Sequence, residues 1–312
     1  MQDIYQKILE QETTPEALEA TVSYLSKKMK PFLSVLEPVL ICFPDDGPAS
    51  LGGIFKEAVN RCEAKPVFWG PDYRWQELLR IAFETHANTV VGHPMVVLGL
   101  MKLARATATP LYIYDLIVCS DPFSRWIVED LKKGFDCRVW GCYAVHSGPI
   151  VAGFSCIQEA GVHIRKDIFL PYLNHDPERA EKSNRGKLCF SYTKDPELSY
   201  DPDQTVLLHS HACSCGCDEP RVVDANSISE DDITREMLEN KLLTWSSVLD
   251  FSTEKTESGL SLELVVFPGE SLPKVPSVAK LLVRPWKQED IPFCMQQYAL
   301  RIPEKDQKWI DF

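Results

Sequence analysis

Between residues 39 and 142 short apolar runs alternate with helical stripes, and this alternation constrains the fold more than any other feature. Val39–Phe43, Pro66–Trp69, Thr89–Val91, Leu111–Cys119 and Cys137–Cys142 read as strands. Between them, Leu51–Cys62 places Leu51, Ile54, Phe55, Ala58, Val59 and Cys62 on one stripe of a helix. Tyr73–Phe83, Met95–Ala104 and the segment from Ser120-Asp121-Pro122 to about Phe135 are the other helices of this region. Repeated strand–helix–strand units predict an α/β fold whose mostly parallel sheet is flanked by helices. The first 30 residues read as polar helices, with Thr14-Pro15-Glu16 supplying a hydroxyl cap, a first-turn proline and an acid at a helix start.

From Ile150 the pattern changes to strands with few helices: Ile150–Phe154, Gly161–His163, Ile168–Leu173, Lys187–Tyr192 and Thr205–Leu208, with 174–186 as a polar exposed loop. From Asp224 the chain restarts. Ser229-Glu230-Asp231-Asp232 opens a helix to about Lys241, strands follow at Val248–Ser252 and Leu260–Phe267, and a loop with three prolines spans Pro268–Pro276. The expected division is therefore an α/β core over 1–149, a β-rich subdomain over 150–222 and a small C-terminal α/β domain over 223–312.

Composition narrows the partners. With 45 acidic against 33 basic residues the net charge is −12, so the chain repels phosphate backbones and anionic lipid, and neither nucleic acid nor membrane is expected as a partner. The longest apolar stretch, Thr89 to Ala104, contains His93 and Pro94 and is too short to span a bilayer. The polar start, Met-Gln-Asp-Ile-Tyr-Gln-Lys, does not read as a signal peptide, which predicts a cytoplasmic location. The 11 cysteines then require an explanation other than structural disulfides: core thiols, with a subset binding metal.

The strongest chemical signal is such a subset. Six residues separate Cys156 from His163, and His209-Ser-His211-Ala-Cys213-Ser-Cys215-Gly-Cys217 follows. Zinc takes four thiolate or imidazole ligands in a tetrahedron, commonly as two short pairs. Cys156 with His163 and Cys213 with Cys215 form two such pairs, and Gly216 frees the backbone for a tight knuckle. By spacing alone Cys217, His209 and His211 compete for the same places. Free thiols are the plain alternative, but three alternating cysteines in a hydrophilic run fit it poorly. Four protein ligands would make the site structural.

A second candidate is the turn Gly141 to Pro149, which follows a predicted strand where parallel sheets gather ligands. There Tyr143 can stack on a flat ring, while His146 and Ser147 can donate hydrogen bonds or move a proton. A simple turn with a satisfied histidine explains the same residues. His93-Pro94 and Ser120-Asp121 read first as helix caps. No glycine-rich phosphate loop and no Gly-x-Ser-x-Gly elbow occurs in the sequence.

The order of these features resembles phenylacetate–CoA ligases and their relatives in the AMP-forming adenylation superfamily, from about Ser50 to Arg221. Ser50-Leu-Gly-Gly-Ile-Phe followed by Cys62-Glu-Ala-Lys-Pro-Val resembles the family's glycine-pair helix and next strand. Thr89-Val-Val-Gly-His-Pro94 is similar to its segment before a helix, and Cys119-Ser-Asp-Pro-Phe-Ser124 stands where the family has Gly-Glu-Pro. Trp140-Gly-Cys-Tyr143 stands where its adenine-contacting Tyr-Gly-x-Thr-Glu motif begins. Cys156, His163, Cys213 and Cys215 match a zinc set of several relatives, and the resemblance selects these four.

The resemblance implies ATP-dependent activation of a carboxylate, with Tyr143, Ser120 and Asp121 on the nucleotide, His146 and Ser147 at the reacting group, and ATP or AMP, magnesium and CoA as ligands beside zinc. Parts of the family pattern lack a counterpart here. Against the family pattern the sequence reads as shortened, starting after the phosphate loop; the turn after Tyr143 lacks the magnesium-holding glutamate; and Asp201 and Asp203 stand without the ribose-binding Arg-Tyr context. Lys280 and Lys287 match the C-terminal catalytic lysine by position alone. A non-catalytic descendant that binds a nucleotide, an acyl group or a protein is the alternative expectation, as a homodimer or with a partner subunit supplying the phosphate loop.

Overall fold

The apolar runs of the N-terminal half form five parallel strands. The structure, a computed structural model, describes residues 2–69, 74–120, 125–158, 161–174, 184–202, 204–224, 242, 245–257, 259–267 and 278–287. Strands β1 (Pro38–Ile41), β2 (Lys65–Phe68), β3 (Thr89–Gly92), β4 (Asp115–Ser120) and β5 (Arg138–Ala144) lie in the order β2-β1-β3-β4-β5, every pair parallel. Side chains alternate between two cores. Leu40, Val90, Leu116 and Val118 face one, and Val39, Ile41, Val91, Ile117 and Cys119 face the other. Helices α2 (Pro15–Met29) and α3 (Leu51–Arg61) cover the second face, and α4 (Trp75–Glu84), α5 (Pro94–Ala106) and α6 (Arg125–Phe135) the first. A parallel sheet covered on both faces has no polar face, which is why its strands read as uninterrupted apolar runs.

Local signals place the helix starts. Thr14 Oγ1 accepts from Ala17 N at 3.3 Å, with Pro15 in the first turn of α2. Ser50 Oγ accepts from Gly53 N at 2.9 Å, and His93 Nδ1 from Met95 N at 3.2 Å ahead of Pro94. His93-Pro94 is thus the cap of α5. Residues 121–124, expected to open α6, lie outside the described residues.

Beyond β5 the same sheet continues antiparallel, in the order β5-β6-β7-β12-β11-β9-β10, with β8 on β9. Strands β6 (Val151–Ser155), β7 (Val162–Ile164), β8 (Phe169–Asn174), β9 (Arg185–Tyr192) and β11 (Thr205–His209) stand where strands were expected. Two more, β10 (Asp195–Tyr200) and β12 (Arg221–Asp224), carry weaker sequence signals: one contains a proline, the other is four residues long. Arg185 and Gly186 of the expected loop 174–186 belong to β9, and residues 175–183 lie outside the described residues. This half curls over an aromatic core, so that Tyr143 on β5 meets Phe190 on β9 with ring centroids 5.6 Å apart.

A separate three-stranded sheet comprises β13 (Val248–Thr256), β14 (Gly259–Val266) and β15 (Lys280–Pro285), antiparallel then parallel. The expected helix from 229 to 241 and the loop 268–276 lie outside the described residues. Among the described residues no helix is long and apolar enough to cross a membrane.

Helix α5 docks this sheet through two basic side chains. Lys102, fully buried, donates to the backbone carbonyls of Trp245 and Val248, while Arg105 donates to Ser246 O at 2.8 Å and lies over the Phe267 ring at 4.6 Å. Burial and then the Arg105 charge hold the Lys102 pKa well below the ordinary lysine value, with Asp250 opposing. Such a lysine binds fewer protons folded than unfolded, so stability rises as pH climbs toward the ordinary lysine range. The urea midpoint is expected to rise from about pH 7 to about pH 10. Lys102→Met, which keeps the stem and removes the amine, should flatten that rise and cost about 2 kcal/mol near neutrality through the lost bonds to buried carbonyls. An identical slope in the variant would contradict this reading.

Candidate metal centre and the carboxyl edge of the parallel sheet

Cys156, His163, Cys213 and Cys215 come from three places in the chain and meet at one point. Their ligand atoms all lie within 4.8 Å of one another. Cys156 follows the end of β6, and its N–H donates to Gly161 O at 3.0 Å in the turn to β7. His163 sits inside β7, in register with Phe154 of β6 on one side and Arg221 of β12 on the other. Cys213 and Cys215 sit on the knuckle between β11 and β12, closed by Cys213 N to Cys217 O at 3.0 Å and Gly216 N to Cys213 O at 2.9 Å.

Cys156 Sγ stands 3.4 Å from Cys213 Sγ, and Cys215 Sγ 3.3 Å from His163 Nε2. Thiolates about 2.3 Å from a tetrahedral zinc are about 3.8 Å apart, so these spacings suit four ligands around one ion and are far too long for a disulfide. The His163 ring is oriented for ligation. Its Nδ1 lies 3.1 Å from the Glu219 carbonyl oxygen, which can only accept; Nδ1 therefore carries the proton and Nε2 turns its lone pair toward the thiols. Burial holds the His163 pKa below the ordinary histidine value, the Glu219 carbonyl opposing, and so favours the neutral ring that a metal requires.

Helix α2 closes over this cluster. Tyr24 Oη donates to His163 O at 3.5 Å, and Lys28 Nζ reaches Glu219 Oε2 at 3.4 Å and Cys217 Sγ at 3.9 Å. Cys217 donates to Glu219 Oε2 at 3.2 Å, and burial raises its pKa. Arg165, 1% exposed, stacks on Tyr24 at 4.9 Å and donates to Thr21 Oγ1, Val151 O and both Asp167 oxygens. Sequence reasoning missed Tyr24, Lys28, Arg165 and Glu219. Glu219 orients His163 through its backbone, where residue type leaves no trace, and α2 lies more than a hundred residues away. Of the competing candidates, Cys217 groups with His163 and Glu219 within 4.8 Å, while His209 and His211 pack edge to face on each other at 5.5 Å.

The residues expected at a ligand crevice lie along the carboxyl ends of the parallel strands. Tyr143 is fully buried and His146 lies in a single 3-10 turn, Val145–Ser147. His146 adopts φ 52°, ψ 35°, the left-handed region that costs a non-glycine residue strain. Its ring meets that of Tyr5 at 4.7 Å and that of Tyr200 at 5.4 Å, both edge to face. Ser147 shares that turn, Ser120 closes β4, and Asp121 lies outside the described residues. The Tyr143 ring is sealed in the core against Phe190.

Comparison with solved proteins places the fold. The chain is similar to 2-hydroxyisobutyryl-CoA ligase in the postadenylation state with R3-HIB-AMP, with a TM-score of 0.59 and 13% identity over 90% of this chain and 72% of that one. The complex of the same ligase with 2-HIB-AMP gives 0.57 over the same shares, again at 13% identity. Its open conformation with 2-HIB-AMP and CoA gives 0.51 at 13% identity, over 86% of this chain and 67% of that one. No family model matches the chain, and no curated protein sequence matches it. The chain therefore has the mixed α/β fold of an acyl-CoA ligase, a likeness of architecture that leaves chemistry to be argued from its residues.

The turns that bring the four side chains together rest on two left-handed glycines. At Gly216 φ is 83° and an added Cβ meets nothing within 4 Å; at Gly161 φ is 110° and the Cβ would fall 2.5 Å from Val222 O. Gly216→Ala should therefore cost about 1–2 kcal/mol, the left-handed penalty alone, and Gly161→Ala distinctly more. Thermal denaturation of the two variants should show that order; equal or reversed losses would refute it.

Proposed function

We propose that this chain is a divergent acyl-adenylating, CoA-ligase-like protein whose Cys156, His163, Cys213 and Cys215 hold a structural zinc. The observation that carries the activity is the fold, shared over 90% of the chain with a ligase captured with an acyl-adenylate. In the proposed chemistry a carboxylate oxygen attacks the α-phosphorus of ATP, the bond to the β-phosphate oxygen breaks, and pyrophosphate leaves. A CoA thiol then displaces AMP from the acyl carbon. His146 and Ser147 are the residues this reading places at the reacting carboxylate, with Ser120 and Asp121 toward the nucleotide. By motif order it resembles the phenylacetate–CoA ligase branch, with an aryl or fatty acid as the substrate class. Charge developing on the phosphates needs cations, which magnesium would supply when bound. Pyrophosphate release with ATP, magnesium and a panel of aryl and fatty acids tests this. Acid-dependent release is expected, and its absence across the panel would refute the activity.

A specific observation favours a second reading, a non-catalytic nucleotide- or acyl-binding protein: Tyr5, on helix α1 (Gln2–Glu12), lies edge to face on His146 at the edge where substrate would lie. Calorimetry with AMP, ATP and CoA separates the two, since this reading expects binding without turnover.

The donor set supports zinc as the metal. Three thiolates and a neutral imidazole are soft to borderline ligands, and four protein ligands leave no open position for catalysis. Metal analysis should find about one zinc per chain. Cys213→Ser with Cys215→Ser should remove it and lower the melting temperature, because metal binding to such a site contributes directly to folding. Zinc retained by that double variant would overturn the ligand assignment.

A further inference from the structure

Helix α1 (Gln2–Glu12) rests on the core through Ile8, 2% exposed, with Ile4 and Leu9 packed beside it, and its two ends are anchored differently. At the end near α2, Glu12 is 4% exposed and accepts from Tyr192 Oη at 2.6 Å and from Lys194 Nζ at 2.9 Å, while Tyr192 also donates to Gln11 Oε1 at 3.2 Å. Immediately beyond, Thr13-Thr14-Pro15 breaks the helix: Thr14 is extended, φ −65° and ψ 152°, and its Oγ1 caps α2. Charged and hydroxyl partners thus hold one end of α1 beside a break in the backbone. The other end reaches the turn after β5 with an aromatic ring. Tyr5 lies edge to face on His146 at 4.7 Å, and a Cβ on Gly148 would come within 2.5 Å of Tyr5 Oη, so Tyr5 rests directly on the 145–148 turn.

Among the described residues of the carboxyl edge, that turn has the features of a ligand contact. His146 is held in a left-handed conformation, half-buried, with Tyr200 also edge to face on it at 5.4 Å and Phe190 stacked on Tyr200 at 6.2 Å. Aromatic edges and faces arranged in this way accept a planar ring, and one such ring, that of Tyr5, is already there. Loss of an internal ring leaves a place of matching shape for an incoming one.

We propose that α1 is a lid over the carboxyl end of β5, pivoting at Thr13-Thr14-Pro15, and that a planar ligand ring such as a nucleobase displaces Tyr5 from His146 when the lid opens. The ligand half of this inference rests on the reading of the β5 edge as a substrate site; the motion of α1 does not. While α1 is closed the binding-competent fraction is small, so the apparent affinity is reduced by that fraction.

Two measurements on the full chain test it. Hydrogen exchange of the wild-type protein without ligand should show α1 amides exchanging ahead of those in α2 and β9, the mark of a sub-global opening. Equal protection of α1 and α2 would overturn the lid. Calorimetry with AMP should show Tyr5→Ala binding about tenfold more tightly than wild type, with Tyr5→Phe, which keeps the ring, close to wild type. AMP bound equally by wild type and Tyr5→Ala would also overturn the lid. AMP bound by neither, with α1 still opening first, would refute the nucleotide reading of the site and leave α1 as a mobile cover.

Discussion

The convergence of two strands and one knuckle on Cys156, His163, Cys213 and Cys215 is the constraint on which the β-rich half depends. β7 is short and lies between β6 and β12, so its register decides where His163 points. A shift of one residue would turn that ring to the opposite face of the sheet and away from the thiols. The Glu219 carbonyl on Nδ1 and the α2 residues Tyr24 and Lys28 hold the same register from outside. The cluster thus joins helix α2, near the beginning of the chain, to strands near its middle, and Arg165 repeats that link through Thr21 and Tyr24.

Around that cluster the sheet changes character without breaking. Five parallel strands are buried on both faces by helices, and the antiparallel strands that follow curl over their own aromatic side chains. Tyr143 and His146 stand at the change-over, which explains how one short turn meets both the end of β5 and the distant edge strand β10. The likeness to 2-hydroxyisobutyryl-CoA ligase concerns this whole arrangement, because it extends over nine-tenths of the chain at 13% identity. At that identity the chain can keep the positions of strands and helices while replacing most side chains at the carboxyl edge.

The parallel half was legible because burial on both faces forces apolar runs and because caps such as Thr14, Ser50 and His93 mark helix starts within a few residues. β10 and β12 were not legible in the same way. Their positions are decided by neighbours, β9 on one side and β7 with β11 on the other, and a four-residue run such as Arg221–Asp224 has little propensity of its own. At the cluster, residue types and spacings pointed to the cysteines and His163, while Glu219 and Lys28 left no pattern to read. At the carboxyl edge, the burial of Tyr143 against Phe190 depends on the curl of the sheet, a long-range feature absent from the local pattern around residue 143.

By itself, then, the sequence determined the alternation of strands and helices, the burial of the parallel strands and the set of thiols and imidazole able to bind a metal, because each follows from local periodicity or side-chain chemistry. Only the tertiary structure decided that Glu219 and helix α2 close over the four side chains, that Tyr143 turns inward, that Lys102 anchors the C-terminal sheet and that Tyr5 lies on His146. Each of these is a contact between residues far apart in the chain, set by strand register and sheet curvature, which no short window of residues encodes.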